Sequence, residues 1–196
     1  MTSEKMRFGF WPNPRSDYES TKILAQHAEA TGWDGIWLAD HFLPEEDALI
    51  PVHESWITMA ALARDVPRVR LGTLVAGNTY RHPAVLANMV STLDNLADGR
   101  VVLGLGAGWQ QNEHDAYGIE YGTVGSRLDR LEEACQVIKG LFHTDHFSFN
   151  GQHYQLKNAP LEPKPLQAKI PLMIGGGGEK RTLKITAQYA DEWNVW

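Results

Sequence analysis

Two kinds of residue pattern in this chain are suited to chemistry. The first is Gly175-Gly176-Gly177-Gly178, which closes the apolar run Ile170-Pro171-Leu172-Met173-Ile174 and leads through Glu179-Lys180-Arg181 into a helix-patterned segment ending at Ala190. Residues without a Cβ let successive amide N–H groups converge, and a helix start adds unpaired amides and the positive end of a dipole. The loop therefore suits an anion, and a phosphate in particular. A tight turn alone needs only one or two glycines. No Gly-Lys-Ser/Thr closes the loop, so it is not a Walker-type nucleotide site. The second pattern is a recurrence of polar or bare residues just after apolar runs: Asp40 and His41, Asn78, and Gly106 to Gly108 with Glu113 downstream.

The elements that must position these groups alternate. Strand-like runs are expected at Met6 to Phe10, Gly35 to Ala39, Val69 to Ala76, Arg100 to Gly106, Ile170 to Gly175 and Glu192 to Trp196. Helix-like runs are expected at Asp17 to Thr31, Glu54 to Arg64, Pro83 to Ala97, Arg127 to Phe142 and Glu179 to Ala190. In the fourth helix Ser126 is the N-cap candidate, and Leu128, Leu131, Cys135, Ile138 and Phe142 share one face. Short apolar strands alternating with helices indicate parallel pairing with both sheet faces covered. A doubly wound nucleotide fold should carry its glycine fingerprint after the first strand, where this chain has Trp11-Pro12-Asn13-Pro14; Gly104-Leu105-Gly106-Ala107-Gly108-Trp109 also fails the G-x-G-x-x-G spacing. Functional groups after several different strands instead converge at one mouth in a (β/α)₈ barrel.

Composition removes several function classes. The 196 residues carry a formal net charge of −6 with no basic stripe, which argues against a nucleic-acid partner. No apolar run is long enough to span a bilayer, and Met1 to Lys5 contain no apolar signal region, so a cytoplasmic location is expected. Cys135 is the one cysteine, which leaves no internal disulfide and no thiolate zinc cluster. His143, His146 and His153 lack the carboxylate or cysteine spacing of a metal centre, and no metal is expected. Trp11, Trp37 and Trp109 lie near strand ends, where they can line an apolar pocket or pack in the core.

Four segments in order resemble the luciferase-like monooxygenase family of flavin- and deazaflavin-dependent oxidoreductases: Gly32-Trp33-Asp34-Gly35-Ile36-Trp37-Leu38-Ala39-Asp40-His41, Leu71 through Pro83, Leu93-Asp94 through Gly99-Arg100, and Gly104 through Trp109 with Glu113. The pattern is most similar to the coenzyme F420 branch. The resemblance implies a luciferase-like (β/α)₈ TIM barrel with a deazaflavin, or alternatively FMN, lying across its mouth. His41 would handle a proton beside the ring, with Asp40 orienting His41 or touching the ring directly. Val75 and Ala76 would form a bulge behind the ring, with a non-proline cis peptide at Val75-Ala76. Asn78 would meet the polar tail, while Gly106, Ala107 and Gly108 would pass close to the ring. Gly175, Gly176, Gly177 and Gly178 would hold the phosphate, and Glu113 would brace the next helix. The implied activity is hydride transfer between F420 and a small organic substrate, in a dimer. An FMN-dependent monooxygenase and a non-catalytic flavin-binding protein are the alternatives.

Two features depart from a plain barrel. Residues 143–169 contain a hairpin pattern around Asn150-Gly151 and then Pro160, Pro163 and Pro165, and read as a rim insertion within the single domain 1–196. Such a barrel usually needs about 250 residues and eight strands. The chain stops at Trp196 with the sixth, so an incomplete, C-terminally truncated barrel is expected.

Overall fold

The most apolar run, Val101–Gly106, is buried along its whole length and forms the central strand, β5, of a parallel sheet. A computed structural model of the chain describes residues 6–45 and 49–195. Around β5 the strands β1 (Gly9–Phe10), β2 (Gly35–Leu38), β3 (Arg70–Thr73), β4 (Ala76–Gly77), β8 (Leu172–Gly175) and β9 (Glu192–Asn194) pair in the order β1-β2-β3-β5-β8-β9, with β4 also against β5. All of these pairings are parallel. Parallel neighbours require crossovers, supplied by α1 (Tyr18–Ala30), α2 (Ser55–Asp65), α3 (Pro83–Leu96), α4 (Gln111–Tyr117) with α5 (Val124–His143), and α6 (Thr182–Tyr189). Their buried faces, including Met59 and Leu62 of α2, Leu86 and Val90 of α3, and Leu131 and Ile138 of α5, form one core against the outside of the sheet.

The sheet is curled. Arg70 on β3 and Glu192 on β9 lie three strand steps apart, about 14 Å in a flat sheet, yet their side chains form a direct ion pair of 2.5 Å. The result is a half-barrel whose concave face gathers the carboxyl ends of β2, β4, β5 and β8 around one mouth.

Several expected boundaries move, each for a local reason. The third strand does not run unbroken from Val69 to Ala76: a cis peptide at Leu74–Val75 separates β3 from β4, one residue before the expected Val75-Ala76 bond. The helix expected to begin after Ser126 starts at Val124. Thr123 is its N-cap, and Ser126 completes a capping box from the third helical position, because its hydroxyl accepts from the Thr123 amide. The last helix begins at Thr182, not Glu179, with Arg181 as a cap whose side chain makes no capping bond. Helix α4 follows no long periodic run and was not expected. The first strand is reduced to Gly9–Phe10 and the last ends at Asn194; Trp196, with which it was expected to end, and the Met1 to Lys5 segment lie outside the described residues.

The insertion forms an antiparallel pair, β6 (His146–Asn150) and β7 (Gln155–Pro160), with a register shift between Phe147 and Phe149. Asn150-Gly151 is not a two-residue turn: residues 151–154 form the loop. Its shape is set by Glu133 of α5, whose carboxylate accepts from the amides of Gln152, His153 and Tyr154 at 2.7, 2.9 and 3.0 Å. Cys135 is buried in the core, and burial pushes its thiol up to about 12, which leaves it unreactive at neutral pH. Among the described residues no helix is long and apolar enough to cross a membrane.

Candidate active site

A cavity of about 600 Å³ occupies the mouth, within the range of small-molecule and cofactor pockets. Its β2 side is built from acids and bases. Asp40 follows β2 and is 1% exposed. Its two oxygens accept from Arg81 at 2.7 and 3.0 Å, from the Ser55 hydroxyl at 2.9 Å and from the Gly77 amide at 3.3 Å. Arg81 in turn reaches Glu54 at 2.6 Å and lies over the rings of Phe42 and Trp56. Burial alone would lower the basicity of this guanidinium, but Asp40 and Glu54 outweigh it and raise it.

His41 is oriented by Glu113, not by Asp40, and this corrects the role expected of both acids. Successive residues at a strand end project to opposite sides, so the chain neighbour of His41 is turned under towards α2 while His41 faces the mouth. Glu113, fully buried on α4, receives the His41 ring through Nδ1 at 3.0 Å. It also accepts from the Tyr80 hydroxyl, from the Phe42 amide, and from the Leu43 amide at 2.9 Å. Burial pushes the Glu113 carboxyl up, but these hydrogen bonds prevail and hold it below its ordinary value. Burial first, then the hydrogen bond to Glu113 and its charge, push the Tyr80 phenol well above its usual range. An ionised Glu113 is an acceptor only, so His41 Nδ1 must carry a hydrogen. That leaves Nε2 as the ring nitrogen free for proton exchange on a side chain that lines the cavity beside the edge-on ring of Trp109.

The opposite side combines glycine backbone with the side chains of Val124, Arg127, Leu128 and Thr182. Gly106 at the end of β5 with Ala107 and Gly108 beyond it, and Gly175 at the end of β8 with Gly176 beyond it, line the cavity with Val75 and Ala76 of the bulge. A Cβ on Gly106 would stand 2.9 Å from Val75 Cγ2, and one on Gly175 would stand 2.6 Å from it, so glycine is required for the strands to close around the bulge. Gly176 has φ +124°, a conformation that also demands glycine, and its amide is taken by the Asn194 carbonyl at 3.0 Å. Gly178 lines the cavity with Thr182, whereas Gly177 turns towards Val195 and does not. The glycine loop is thus divided, because only the residues either side of Gly177 face the mouth.

Asn78 is also displaced from its expected place. Its amide donates to the Gly106 carbonyl at 2.9 Å, and its side chain is buried behind the mouth, with Nδ2 3.3 Å from the Tyr154 hydroxyl of the hairpin. It lines a separate groove with His82 and Tyr154. Lys180 and Arg181 do not line the cavity, and Arg181 pairs with Asp129 at 2.6 Å. His143 and His146 turn a ring nitrogen to backbone carbonyls. Sequence reasoning missed Tyr80, the hub role of Glu113 and the cavity-lining Arg127. The sequence signal for Tyr80 and Glu113 was a titratable residue within a few positions of a glycine-bearing strand end; Arg127, 19 positions past Gly108, had none.

The profile of the luciferase-like monooxygenase family matches residues 5–196. Curated relatives include an F420-dependent glucose-6-phosphate dehydrogenase of Amycolatopsis mediterranei, 37% identical over 169 residues, and one of Kineococcus radiotolerans, 37% identical over 158. These alignments cover 85% and 79% of this chain but 48% and 46% of the relatives, so the chain spans about half the length of the curated relatives it matches. Among solved structures, an F420-dependent secondary alcohol dehydrogenase in complex with an F420-acetone adduct superposes with a TM-score of 0.89 at 28% identity, covering 97% of this chain and 58% of that one. The F420-dependent tetrahydromethanopterin reductase of Methanopyrus kandleri shares the fold, with a TM-score of 0.84 at 21% identity over 97% of this chain and 56% of that one.

Proposed function

This chain belongs to the luciferase-like monooxygenase family, and from that premise we propose that it is the catalytic portion of a coenzyme F420-dependent oxidoreductase acting on a small organic substrate. The observation that carries the reading is the mouth itself: His41, held through Nδ1, lines a largely apolar cavity whose other wall is glycine backbone with Val124 and Leu128 beside it. The residues fit a flat tricyclic ring. Gly106 and Gly175 let their strands close on Val75, so the wall of the roughly 600 Å³ cavity beside the bulge is backbone that a planar group can lie against.

A bound deazaflavin supplies the two-electron hydride chemistry. The chain's own residues handle the proton and the geometry. When a substrate hydroxyl carbon gives up hydride, Nε2 accepts the hydroxyl proton, and in the reverse direction it returns that proton to the carbonyl oxygen. Glu113 steadies the positive ring through Nδ1. The Tyr80 hydrogen bond and the two backbone amides keep Glu113 ionised while it does so. The Asp40–Arg81 pair does no chemistry in this scheme. It ties the end of β2 to the Gly77 amide of β4 and so holds His41 opposite the bulge.

Titrating the chain with coenzyme F420 and with FMN tests the reading. Binding of F420 in preference to FMN is expected, with His41→Ala retaining affinity and losing about 10²- to 10⁴-fold in turnover. Binding of neither flavin, or turnover unchanged in His41→Ala, would overturn it.

A further inference from the structure

The hydrogen bonds to Glu113 divide by type between its two oxygens. Oε1 accepts two backbone amides, from Phe42 and from Leu43 at 2.9 Å, the two residues that follow His41. Oε2 accepts two side-chain donors, His41 Nδ1 at 3.0 Å and the Tyr80 hydroxyl. An ionised carboxylate offers about four lone-pair sites, so these donors fill it. The division separates two jobs. The amides fix where the carboxylate points, because they belong to the same stretch of backbone that carries His41. The Tyr80 hydroxyl is not needed for that aim, and its effect falls on the oxygen that the imidazole uses.

A hydrogen bond to a charged oxygen stabilises the charge where it is and leaves less of it to stabilise a second, positive partner. Burial, then the hydrogen bond to Glu113 and its charge, hold the Tyr80 phenol above its usual range, so it stays a donor wherever an imidazole titrates. The other ionisable groups around His41 are committed elsewhere. Asp40, its chain neighbour, is taken by Arg81 and Ser55, and Arg81 by Asp40 and Glu54. Arg127 of α5 donates to the Gly108 and Gly122 carbonyls, each at 3.1 Å. His114 of α4, whose ring centre lies 5.0 Å from that of Tyr80, meets the Gln110 carbonyl with one nitrogen and the Thr79 hydroxyl with the other.

We propose that the Tyr80 hydroxyl sets the proton affinity of His41 by drawing on the Glu113 oxygen that the two side chains share. Tyr80 is a positioning residue that acts through Glu113, and its ring, seated against Gly77 and Phe42, holds the hydroxyl in place. Loss of that hydroxyl leaves the carboxylate aimed by two amides and gives its undivided charge to the imidazole, which then holds its proton more tightly. The effect on the imidazole follows from these three side chains alone; its consequence for turnover rests on the cofactor reading above.

The experiment follows the His41 imidazole by NMR through a pH titration of the full chain without cofactor, with His41→Ala assigning the resonance. Tyr80→Phe keeps the ring and removes the hydroxyl, and should raise the His41 midpoint by about 0.5 to 1 pH unit, a roughly threefold to tenfold gain in proton affinity. Glu113→Gln should lower it. In the Glu113→Gln background Tyr80→Phe should leave the midpoint nearly unmoved, because the hydroxyl acts through the carboxylate. Should Tyr80→Phe not fold, replacement of Tyr80 by 3-fluorotyrosine keeps ring and hydroxyl and, as a more acidic donor, should lower the midpoint. An unmoved midpoint on either change at Tyr80 overturns the proposal, with or without a loss of stability, since Tyr80 then only packs. An equal shift with and without the Glu113 carboxylate overturns it as well. F420 binding combined with an unmoved midpoint removes the Tyr80 link and leaves the cofactor reading intact. A midpoint that moves as expected in a chain that binds neither F420 nor FMN has the opposite meaning: the link stands and the cofactor reading falls.

Discussion

The two sides of the mouth differ in what their polar groups do. On the β2 side, Asp40, Glu54, Arg81, Tyr80 and Glu113 are occupied by one another and by nearby amides, and His41 Nε2 remains as the exchangeable position. On the β5–β8 side, glycines, the Gly178 amide, the Thr182 hydroxyl and Arg127 Nη2 leave donors and space unfilled. A closed network fixes geometry and protonation state before any ligand arrives. An open set of donors does the reverse, since it gains its partners only on binding. The same barrel end therefore holds a prearranged hydrogen-bonded wall opposite a receptive one.

Breaking the closed side should cost the most. Asp40→Ala leaves the buried Arg81 guanidinium with only the half-buried Glu54, and urea unfolding should show a loss of about 3 kcal/mol or more. A loss below about 1 kcal/mol would show that the pair is dispensable to the fold. Glu113→Gln should cost about 2 kcal/mol and should also change the pH dependence of stability. The folded-state carboxyl sits below its ordinary value, so its contribution is complete above the unfolded pKa and is lost as pH falls through the folded one. Wild-type stability should decline as pH falls below the ordinary glutamate range of about 4.3, and the decline should be shallower in the variant. Equal slopes would remove Glu113 from the account of this side.

The open side should respond more in binding than in stability. Gly175→Ala drives a Cβ to within 2.6 Å of Val75 Cγ2 and should cost about 1–2 kcal/mol of stability while narrowing the cavity enough to weaken F420 binding further. Gly177→Ala, which meets only Val195 at 3.2 Å and lies off the cavity, is the control and should leave both nearly unchanged. Similar effects from the two alanines would erase the division of the glycine loop. His41→Ala should have the smallest effect on stability, within about 1 kcal/mol, because the ring is partly exposed and its lost hydrogen bond leaves Glu113 with three other donors.

Much of the half-barrel is legible along the chain because its strands are short apolar runs between amphipathic helices. Val101 to Gly106 reads as a strand covered on both faces and is one. Where boundaries moved, the deciding bonds were local but silent in residue type: Thr123 and Ser126 exchange bonds at the start of α5, and Leu74–Val75 takes the cis form that interrupts β3. The seven residues of α4 carry too little periodicity to stand out. The glycines at strand ends were legible as points of close approach, but which of them face the cavity depended on the path of the loop past Val195.

The sequence by itself determined the order of strands and helices, the bareness of the β5 and β8 ends and the presence of an imidazole after β2, since each follows from residue type and near-neighbour spacing. Only the tertiary structure decided the pairings. Asp40, adjacent to His41, is bound to Arg81, while Glu113, 72 positions away, holds the imidazole. The reason is geometric: consecutive side chains at a strand end diverge, and closure of the half-barrel brings α4 over the place where His41 points.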